Sequence, residues 1–524
     1  MDKKRLPEIL AIYLPQFHET EDNNRWWGKG FTDWETVKSA ERYFPGHKAP
    51  WHPLNSDFYD LSKHKTMLRQ AELAKQYGID GFCFYHYYFK NGKKELELPA
   101  ENLLRWKDVN MPFCFNWASE SWIRSWSKIE GNVWSEKYEK VSDDTSSGVL
   151  VLQDYGRERE WKKHFEYLLP FFKDDRYIKI DNKPVFIFYR PIDIKPLKQM
   201  SDFWRRLADA AGLEGLYLIG ANMNASGSGL DASIIYEPRK AINGLNSKNK
   251  ARMIGQIRCY DYKEVWEEVL DSEPFYYCKT FFTGVTGYDD TPRRGRNGEC
   301  MTGNSPEIFR EGVEKLLIKS IENENEFVFI NAWNEWGEGM YLEPDEQNQF
   351  DYLIALRKAK KQVERNLANI RIGKQTPTLN TEIEQLQYEV KKYKTFIGIL
   401  DKWLILEREN KINFKLYFEE RGIGKVAIYG MAIMGKQLYL QLLAENVIVS
   451  YGIDRYVGQF GNDLKVYRPG EDYPCTDAII ITSYDTEEIE RYLRKKCRAK
   501  IYLLEELIEF FWKKSEKLDS KNLI

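Results

Sequence analysis

The stretch FVFINAWNEWGEG, residues 327–339, joins an apolar run to a polar, glycine-containing turn. Its first half is an uninterrupted apolar and aromatic run, which is typical of a strand buried on both faces of a parallel sheet. Its second half turns polar and contains Glu335, Glu338 and two glycines. A buried strand that ends in this way predicts an α/β unit with a site at the carboxyl end of the strand.

Seven further runs of the same type precede this one. They cover residues 8–14, 79–89, 111–118, 184–190, 216–223, 232–237 and 277–284. Amphipathic stretches such as 63–77 and 306–321 lie between them and supply the connecting helices. Eight β/α units in this span predict a TIM (β/α)8 barrel with insertions. A doubly wound sheet is the alternative.

A charged segment follows over residues 367–412. From Leu379 to Leu404 its apolar residues recur at a spacing of 4-3-4-3-4-3-4, which is a heptad pattern. The pattern predicts a long helical linker over this segment. Two roles remain open for the helix over 379–404: it forms a homodimer with a second copy, or it packs on its own chain.

Residues 413–524 have the pattern of a small Rossmann-like α/β domain, with strands alternating with helices. Gly430 and Gly435 occupy the first and last positions of a dinucleotide fingerprint, and Asp454 lies where a ribose-binding acid is expected. Ala432 replaces the middle glycine. The loop thus predicts either a nucleotide cofactor or a structural domain, and the chain divides into 1–366, 367–412 and 413–524.

Composition excludes several classes of protein. Lys and Arg total 78 against 80 Asp and Glu, so the net charge is −2 and nucleic acid is not expected as a partner. No apolar run is long enough to span a membrane. The seven cysteines form no CxxC pair, and the apolar run near the N-terminus is too short for a signal peptide, so we expect a cytoplasmic protein.

Glu335 and Glu338 are the candidate catalytic residues. Three residues apart, they become neighbours in a turn or helical start, with Cβ atoms about 5–6 Å apart. Retaining glycosidases use two carboxyl groups about 5–5.5 Å apart, and close carboxylates split their pKa values. A solvated acidic loop would also explain the spacing, but the strand-end position and the flanking Trp333 and Trp336 favour a sugar site.

Other strand ends also combine polar and aromatic side chains, as the mouth of a sugar-binding barrel does. The candidate substrate-binding residues are Tyr13, Gln16, His18, Trp26, Trp27, Tyr85, His86, Asn116, Trp117, Glu120, Arg124, Tyr189, Trp333, Asn334 and Trp336.

We predict no metal site and no cofactor for the barrel. The six histidines are not clustered, and HExxH and DxD motifs are absent from the sequence. The Asp289-Asp290 pair is a weak substitute for DxD. The nearby Arg293, Arg294 and Arg296 are interpreted as an exposed basic loop, with anion binding as the alternative.

A series of motifs resembles one known family. YLPQFH, WWGKGFTDWETV, YGIDGFCFYHYYF, FNWASESWIRSW, RYIKIDNKPVFIFYRP and FINAWNEWGEGMYLEPD occur in this order within residues 7–360. They resemble the WbsX-type glycosyltransferases of polysaccharide biosynthesis, which are related to glycoside hydrolase family 99. The resemblance implies a (β/α)8 barrel that acts in O-antigen or capsule metabolism.

The family 99 resemblance also implies catalytic roles. Its E-W-x-E motif corresponds to Glu335-Trp336-Gly337-Glu338, so Glu335 would assist the sugar's 2-hydroxyl and Glu338 would be the acid/base. Gly337 stands where endo-α-mannosidases often have His, and Ser119 where relatives commonly have Asn. The C-terminal part resembles Rossmann-like modules fused to bacterial polysaccharide enzymes.

Three functions follow as hypotheses. The first is a retaining hydrolase or transglycosylase that acts on an oligosaccharide or lipid-linked glycan. The second is a glycosyltransferase that uses a nucleotide sugar. The third is a non-catalytic sugar-binding scaffold.

Overall fold

A computed structural model describes residues 6–123, 149–275, 278–373, 379–454, 464–484 and 486–521. The chain divides into two compact units, Met1–Gly373 and Lys374–Ile524. The three-part division expected from the sequence stays a prediction.

The first unit is a closed barrel of eight parallel strands. They are β1 Glu8–Tyr13, β2 Gly81–Tyr88, β3 Phe113–Trp117, β4 Lys183–Phe188, β5 Tyr217–Ala221, β6 Ala232–Ile235, β7 Lys279–Val285 and β8 Phe327–Asn331. The barrel closes because β1 pairs with both β2 and β8. Each strand overlaps one of the eight apolar runs, and none extends more than one residue beyond its run. The TIM barrel prediction is therefore confirmed, and the doubly wound alternative for this unit is wrong.

Eight helices of the described residues surround or follow the barrel strands. They are α1 His64–Gln76, α2 Leu98–Arg105, α3 Glu158–Phe172, α4 Leu197–Ala210, α5 Arg239–Ser247, α6 Tyr262–Asp271, α7 Pro306–Glu322 and α8 Asp351–Gly373. Local signals define the start of α7, where the Ser305 hydroxyl accepts a hydrogen bond from the backbone of Ile308 and Pro306 opens the first turn.

Shorter elements lie in the loops of the barrel. Two of the short helices, Glu21–Trp27 and Asp33–Lys38, follow β1, and a third, Thr291–Arg294, follows β7. A small sheet of Arg252–Ile254, Ile257–Asp261 and Glu299–Thr302 flanks the barrel.

Strand alternation decides which side chains reach the barrel interior. On β3, Phe115 packs on Phe171 of α3 and Trp117 packs on His164 of α3. These two residues therefore face the helices. Because successive side chains of a strand point to opposite faces, Asn116 faces the interior of the barrel.

The second unit is an α/β domain with a five-stranded parallel sheet. Its strands are β9 Lys425–Tyr429, β10 Ile448–Ile453, β11 Val466–Tyr467, β12 Ala478–Ile481 and β13 Lys500–Leu503. Their order in the sheet is β11-β10-β9-β12-β13, which is a doubly wound arrangement. The predicted separate α/β domain is confirmed, and its kinship with Rossmann-like modules stays a prediction.

Five helices of the described residues belong to this unit. They are α9 Leu379–Arg408, α10 Phe414–Glu419, α11 Ile433–Ala444, α12 Thr486–Lys496 and α13 Leu504–Lys521. The C-terminal half of α9 contributes Trp403 and Leu406 to the core of the unit, beside Phe511 of α13. Across the described part of the chain, none of the helices is long and apolar enough to cross a membrane.

Trp204 tests how α3 and α4 are held on the barrel. Its indole is fully buried and donates a hydrogen bond to the Trp161 carbonyl at 2.9 Å. We expect Trp204→Ala to lower the free energy of unfolding by about 3–5 kcal/mol, because it leaves a cavity and removes this hydrogen bond. Ile192→Ala, at a side chain that is 62% exposed, should change it by less than about 0.5 kcal/mol. Urea titration followed by near-UV circular dichroism measures both, and equal losses would contradict the packing described.

Candidate active site

A tight hairpin follows β8 and presents the two candidate catalytic residues. Asn334–Glu335 pairs with Met340–Tyr341, and the turn between them is a single 3-10 turn, Trp336–Glu338. Gly339 ends this turn in the left-handed conformation, with φ 60° and ψ 22°. The predicted turn over these residues is thus present.

One guanidinium holds both carboxylates. Arg293 donates through one terminal nitrogen to Glu335 Oε1 at 2.9 Å and through the other to Glu338 Oε1 at 2.5 Å. The nitrogen that binds Glu335 also donates to Asp33 Oδ2 at 3.0 Å. Three carboxylates from the loops after β1 and β8 therefore surround one cation from the loop after β7.

The interpretation of Arg293 as part of an exposed basic loop was wrong. Arg293 is largely enclosed by its three carboxylate partners, and Arg294 pairs with Asp290 at 3.2 Å. Only Arg296 of the three is exposed. Asp33 was also missed. The positions of Arg293 and Asp33 just after barrel strands could have indicated both residues, because these loops form the mouth of the barrel.

Gly337 leaves the space in which this ion-pair cluster lies. A Cβ atom at Gly337 would lie 2.6 Å from Asp33 Oδ2 and 2.9 Å from a terminal nitrogen of Arg293. No side chain fits there while the Asp33–Arg293 pair stays in place. The glycine that the sequence shows between the two glutamates is therefore coupled to Arg293.

Burial raises the pKa of Glu335 to about 8. The positive charge of Arg293 opposes this rise, whereas the negative charges of Glu338 and Asp33 add to it. In the free site, Glu335 is therefore mostly protonated at neutral pH and becomes ionised above about pH 8. The side chain of Glu338 is more exposed than that of Glu335 (23% against 7%).

Tyrosines form one wall beside the carboxylates. The Tyr236 hydroxyl donates to the Tyr85 hydroxyl at 2.7 Å, and the Tyr189 ring packs edge-on against both rings. Burial raises the pKa values of Tyr85, Tyr87, Tyr189 and Tyr236, and the charge of Glu335 contributes in each case. Tyr85 and Tyr189 were predicted. Tyr87 was missed, although it shares the Tyr85 face of β2 by alternation.

Glu120 lies at the same mouth. It accepts a hydrogen bond from Arg190 at 3.2 Å. Burial raises its pKa, Arg190 opposes the rise, and Glu338 adds to it. Arg124, the other predicted residue of this loop, lies outside the described residues.

Three predicted binding residues face away from the barrel interior, and their assignment is corrected. His86 Nε2 lies 2.8 Å from His164 Nε2 of α3, and burial lowers the pKa of His86 to about 3. The Trp117 indole donates to the Tyr88 carbonyl at 3.0 Å. The fully buried Tyr13 hydroxyl donates a hydrogen bond to a side chain of helix α1. Because successive side chains of a strand point to opposite faces, all three lie between the strands and the helices. The sequence motifs alone do not show this.

Asn334, Trp336 and Trp333 support the hairpin from behind. The Asn334 amide accepts from the Leu14 backbone nitrogen at 2.8 Å and donates to the Leu14 carbonyl at 3.0 Å, which ties the hairpin to the end of β1. Trp336 stacks on Tyr341 at 3.8 Å between ring centroids. Trp333 is fully buried. The structure places these side chains in the packing of the hairpin.

Glu343 is a further buried carboxylate that sequence reasoning missed. It accepts from the Trp336 indole at 2.8 Å, the Tyr59 hydroxyl at 2.6 Å and the Gln70 amide at 2.7 Å. Burial raises the pKa of Glu343 to about 7, and these three donors oppose the rise. Gln70 in turn accepts from Tyr13 at 2.7 Å, so the network links the hairpin to α1.

The remaining predicted residues lie in the loop after β1 and on β3. His18 is buried, and burial lowers its pKa to about 4. Trp26 is buried against Trp122 and Phe89, whereas Gln16 and Trp27 are half-buried. Asn116 is fully buried, and its amide atoms have no hydrogen-bond partner.

Within the described ranges, one group of side chains has the composition of a metal site. Ligand atoms of His47, Asp289 and Cys300 lie within 4.8 Å of one another. However, His47 Nδ1 accepts a hydrogen bond from the Tyr43 backbone at 3.3 Å, so a neutral ring carries its proton on Nε2. That nitrogen lies 2.7 Å from Asp289 Oδ2. The arrangement therefore fits a hydrogen bond between His47 and Asp289 better than a metal ion.

The fingerprint loop of the second unit has the tight geometry expected of its glycines. Gly430 has φ 92°, and a Cβ atom at Gly435 would lie 2.0 Å from the Gly430 carbonyl oxygen. The Asp454 carboxylate accepts a hydrogen bond from the Met431 backbone at 2.6 Å. The predicted ribose-binding acid thus helps to hold the loop itself.

The fold and the mouth together define a parallel (β/α)8 barrel with an acidic, aromatic-walled site at the carboxyl ends of its strands. Residues 9–356 match the family model described as Glycosyltransferase WbsX. The chain belongs to this family.

Two curated relatives are uncharacterized WxcX proteins of Xanthomonas campestris pv. campestris. That of strain B100 is 30% identical over 371 residues, which are 68% of this chain and 50% of the relative. That of strain ATCC 33913 is 30% identical over 370 residues, with the same coverage. The chain thus spans about half the length of the curated relatives it matches.

Solved structures of glycoside hydrolases are similar at a lower level. The GH99 endo-alpha-mannosidase of Bacteroides thetaiotaomicron aligns at 12% identity and a TM-score of 0.40, over 69% of this chain and 98% of the mannosidase. A GH5-4 broad-specificity endoglucanase of Clostridium longisporum aligns at 9% identity and a TM-score of 0.35, over 69% and 97%. At these TM-scores the similarity supports no inference about activity.

Arg293→Met tests whether one cation balances the carboxylates. We expect a loss of about 3–5 kcal/mol in the free energy of unfolding, because charged partners stay buried without it. In the variant, repulsion raises the carboxylate pKa values of the folded state above those of the unfolded chain. The loss should therefore be full above the folded-state values and shrink as the pH falls and the folded state takes up protons.

The control for this prediction is Arg296→Met, at an exposed arginine three residues away. It should change the free energy of unfolding by less than about 0.5 kcal/mol. Urea unfolding between pH 8 and pH 5 measures both variants. A loss for Arg293→Met that did not depend on pH, or an equal loss for Arg296→Met, would contradict the balance described.

Proposed function

We propose that the barrel cleaves or transfers glycosidic bonds of a surface polysaccharide, or of its lipid-linked precursor, by a retaining two-carboxylate mechanism. The observation that carries the proposal is the contact of Glu335 and Glu338 with the same guanidinium at the carboxyl end of β8. Enzymes that act on glycosidic bonds use two neighbouring carboxyl groups whose environments differ. Membership of the WbsX family supports a glycan as the substrate.

In the proposed mechanism, Glu338 donates its proton to the leaving glycosidic oxygen. Glu335 accepts the proton of the sugar's 2-hydroxyl as that oxygen attacks the anomeric carbon and the glycosidic bond breaks. In the second step, Glu338 takes a proton from the incoming hydroxyl, whose oxygen bonds to the anomeric carbon as the bond from that carbon to the 2-oxygen breaks, and Glu335 returns its proton to the 2-oxygen. Net retention results from the two displacements. The roles follow the family resemblance of the E-W-x-E motif.

The electrostatics of Glu335 suit the role of a base. A sugar hydroxyl is a weak acid, so a carboxylate with a raised pKa is a better proton acceptor than an ordinary one. Burial provides this rise, and Arg293 keeps the ionised form accessible. The tyrosine wall of Tyr85, Tyr189 and Tyr236 offers rings and hydroxyls to a pyranose.

Transfer from a nucleotide sugar is the second candidate function, favoured by the description of the matching family as a glycosyltransferase. The same site hydrolyses when water attacks the anomeric carbon and transfers when a sugar hydroxyl does. For the second unit taken by itself, we propose the 430–435 loop as the place for a nucleotide, because its backbone is close-packed as in dinucleotide-binding loops.

The direct test is mass spectrometry of purified surface glycan and lipid-linked precursor from the source cell, incubated with the protein. Chains that shorten without nucleotide sugars would support hydrolysis or transglycosylation. A gain in mass that requires nucleotide sugars would support the transferase and would call for a different mechanism at the two glutamates. Binding without any change in mass would support a non-catalytic scaffold instead.

Glu338→Gln and Glu335→Gln test the residue assignments. Each keeps the size of the side chain and removes its proton chemistry, so we expect a loss of about 10²–10⁴-fold in kcat for either variant. Glu346→Gln is the matched control, because Glu346 is an exposed glutamate just after the hairpin, and it should retain wild-type kcat. Wild-type turnover in Glu338→Gln would overturn the assignment.

The pH dependence separates the two roles. If Glu335 is the base, only its ionised form is active, so the rising limb of the kcat/KM profile should have a pKa of about 8. Because the mechanism also needs a protonated acid, the profile should fall again at the pH where that acid loses its proton. This rising limb should vanish from the residual activity of Glu335→Gln. A wild-type profile that has no rising limb near pH 8, but has a decline there that disappears in Glu335→Gln, would make Glu335 the acid and reverse the proposed roles.

A further inference from the structure

Helix α9 of the second unit has two apolar faces, and its own domain uses one of them. Ile399, Trp403 and Leu406 are buried in the core of the unit. On the other face, Ile397 is 65% exposed and Leu404 is 58% exposed. Large apolar side chains one heptad apart on the surface of a helix are typical of a contact surface.

The exposed pair belongs to the heptad pattern that runs through residues 379–404. In that register the a positions are Ile383, Val390, Ile397 and Leu404, and the d positions are Leu379, Leu386, Tyr393 and Leu400. β-Branched residues at most a positions with mainly Leu at d favour a parallel, two-stranded coiled coil. The buried face uses mainly the c and g positions, and the d residue Leu400 lies half-buried at its edge. The a residues Ile397 and Leu404 stay exposed beside it.

The charges of the pattern fit the same arrangement. Glu389 is a g position, and Lys394 is the e position of the following heptad. In a parallel, in-register pair, the g residue of one helix faces this e residue of the other, so two Glu–Lys contacts form. The complementarity is between α9 and an identical helix.

We propose that α9 pairs with α9 of a second copy of this chain, as a parallel and in-register coiled coil over residues 379–404. The seam covers 26 residues, or about 39 Å of helix at about 1.5 Å per residue, close to the three to four heptads that a coiled coil needs. The pairing is independent of the chemistry proposed for the barrel.

Light scattering of the full-length protein after size exclusion tests the pairing. Wild type should have twice the mass of the 62.1 kDa chain. The double variant Ile397→Asp/Leu404→Asp should have the mass of one chain, with unchanged circular dichroism, because both side chains are exposed within their own domain. A wild-type protein of one chain mass, or of three or more, would overturn the proposal.

Ile433→Asp is the matched control, since Ile433 is 73% exposed on α11 of the same unit but lies outside the heptad pattern. It should leave the mass doubled. Dissociation by Ile433→Asp, with no effect of the α9 double variant, would move the interface to α11 and contradict the proposal.

Charge reversal tests the orientation of the helices. Glu389→Lys should weaken the dimer, because it places Lys opposite Lys394 of the second copy. Adding Lys394→Glu should restore it, which we would measure as the concentration of half-dissociation by sedimentation. Failure of the double variant to restore the dimer would contradict the parallel, in-register arrangement.

Discussion

The balance between one guanidinium and three carboxylates is the constraint on which the mouth of the barrel depends. Arg293 follows β7, Asp33 follows β1, and Glu335 and Glu338 follow β8, so the ion pairs join three loops that are distant in the sequence. Because burying carboxylates without a cation is costly, the loops must approach closely enough for Arg293 to reach all three. Gly337 makes this approach sterically feasible, since a Cβ atom there would lie between Asp33 and Arg293.

A second layer of hydrogen bonds fixes the hairpin that carries the glutamates. Asn334 ties it to the backbone of Leu14, and the Trp336 indole binds Glu343. Within residues 334–338, the anchoring side chains of Asn334 and Trp336 alternate with the two glutamates. One short segment therefore both carries the carboxylates and fixes their position. Side chains locked from behind keep the carboxylates in place without a substrate, and such preorganisation favours electrostatic catalysis.

The barrel can be predicted from the sequence because each strand is a short apolar run that is recognisable without knowledge of its neighbours in the fold. Glu335 and Glu338 are also found locally, from a strand end followed by glycines. The misassigned residues depend on information that a motif lacks. His86 and Trp117 lie on strand faces that only alternation and helix packing determine. Arg293 acquires its role from a contact with residues about forty positions away, and nothing in its own loop distinguishes it from Arg296.

Burial beside Arg293 sets the protonation of Glu335. Carbon-13 NMR of protein labelled at the glutamate carboxyl carbons measures this directly, with Glu335→Gln used to assign the resonance. We expect the Glu335 carboxyl carbon to titrate with a pKa of about 8 in the ligand-free protein. A Glu335 signal that stays fully ionised from pH 6 upward would show that burial does not set its protonation.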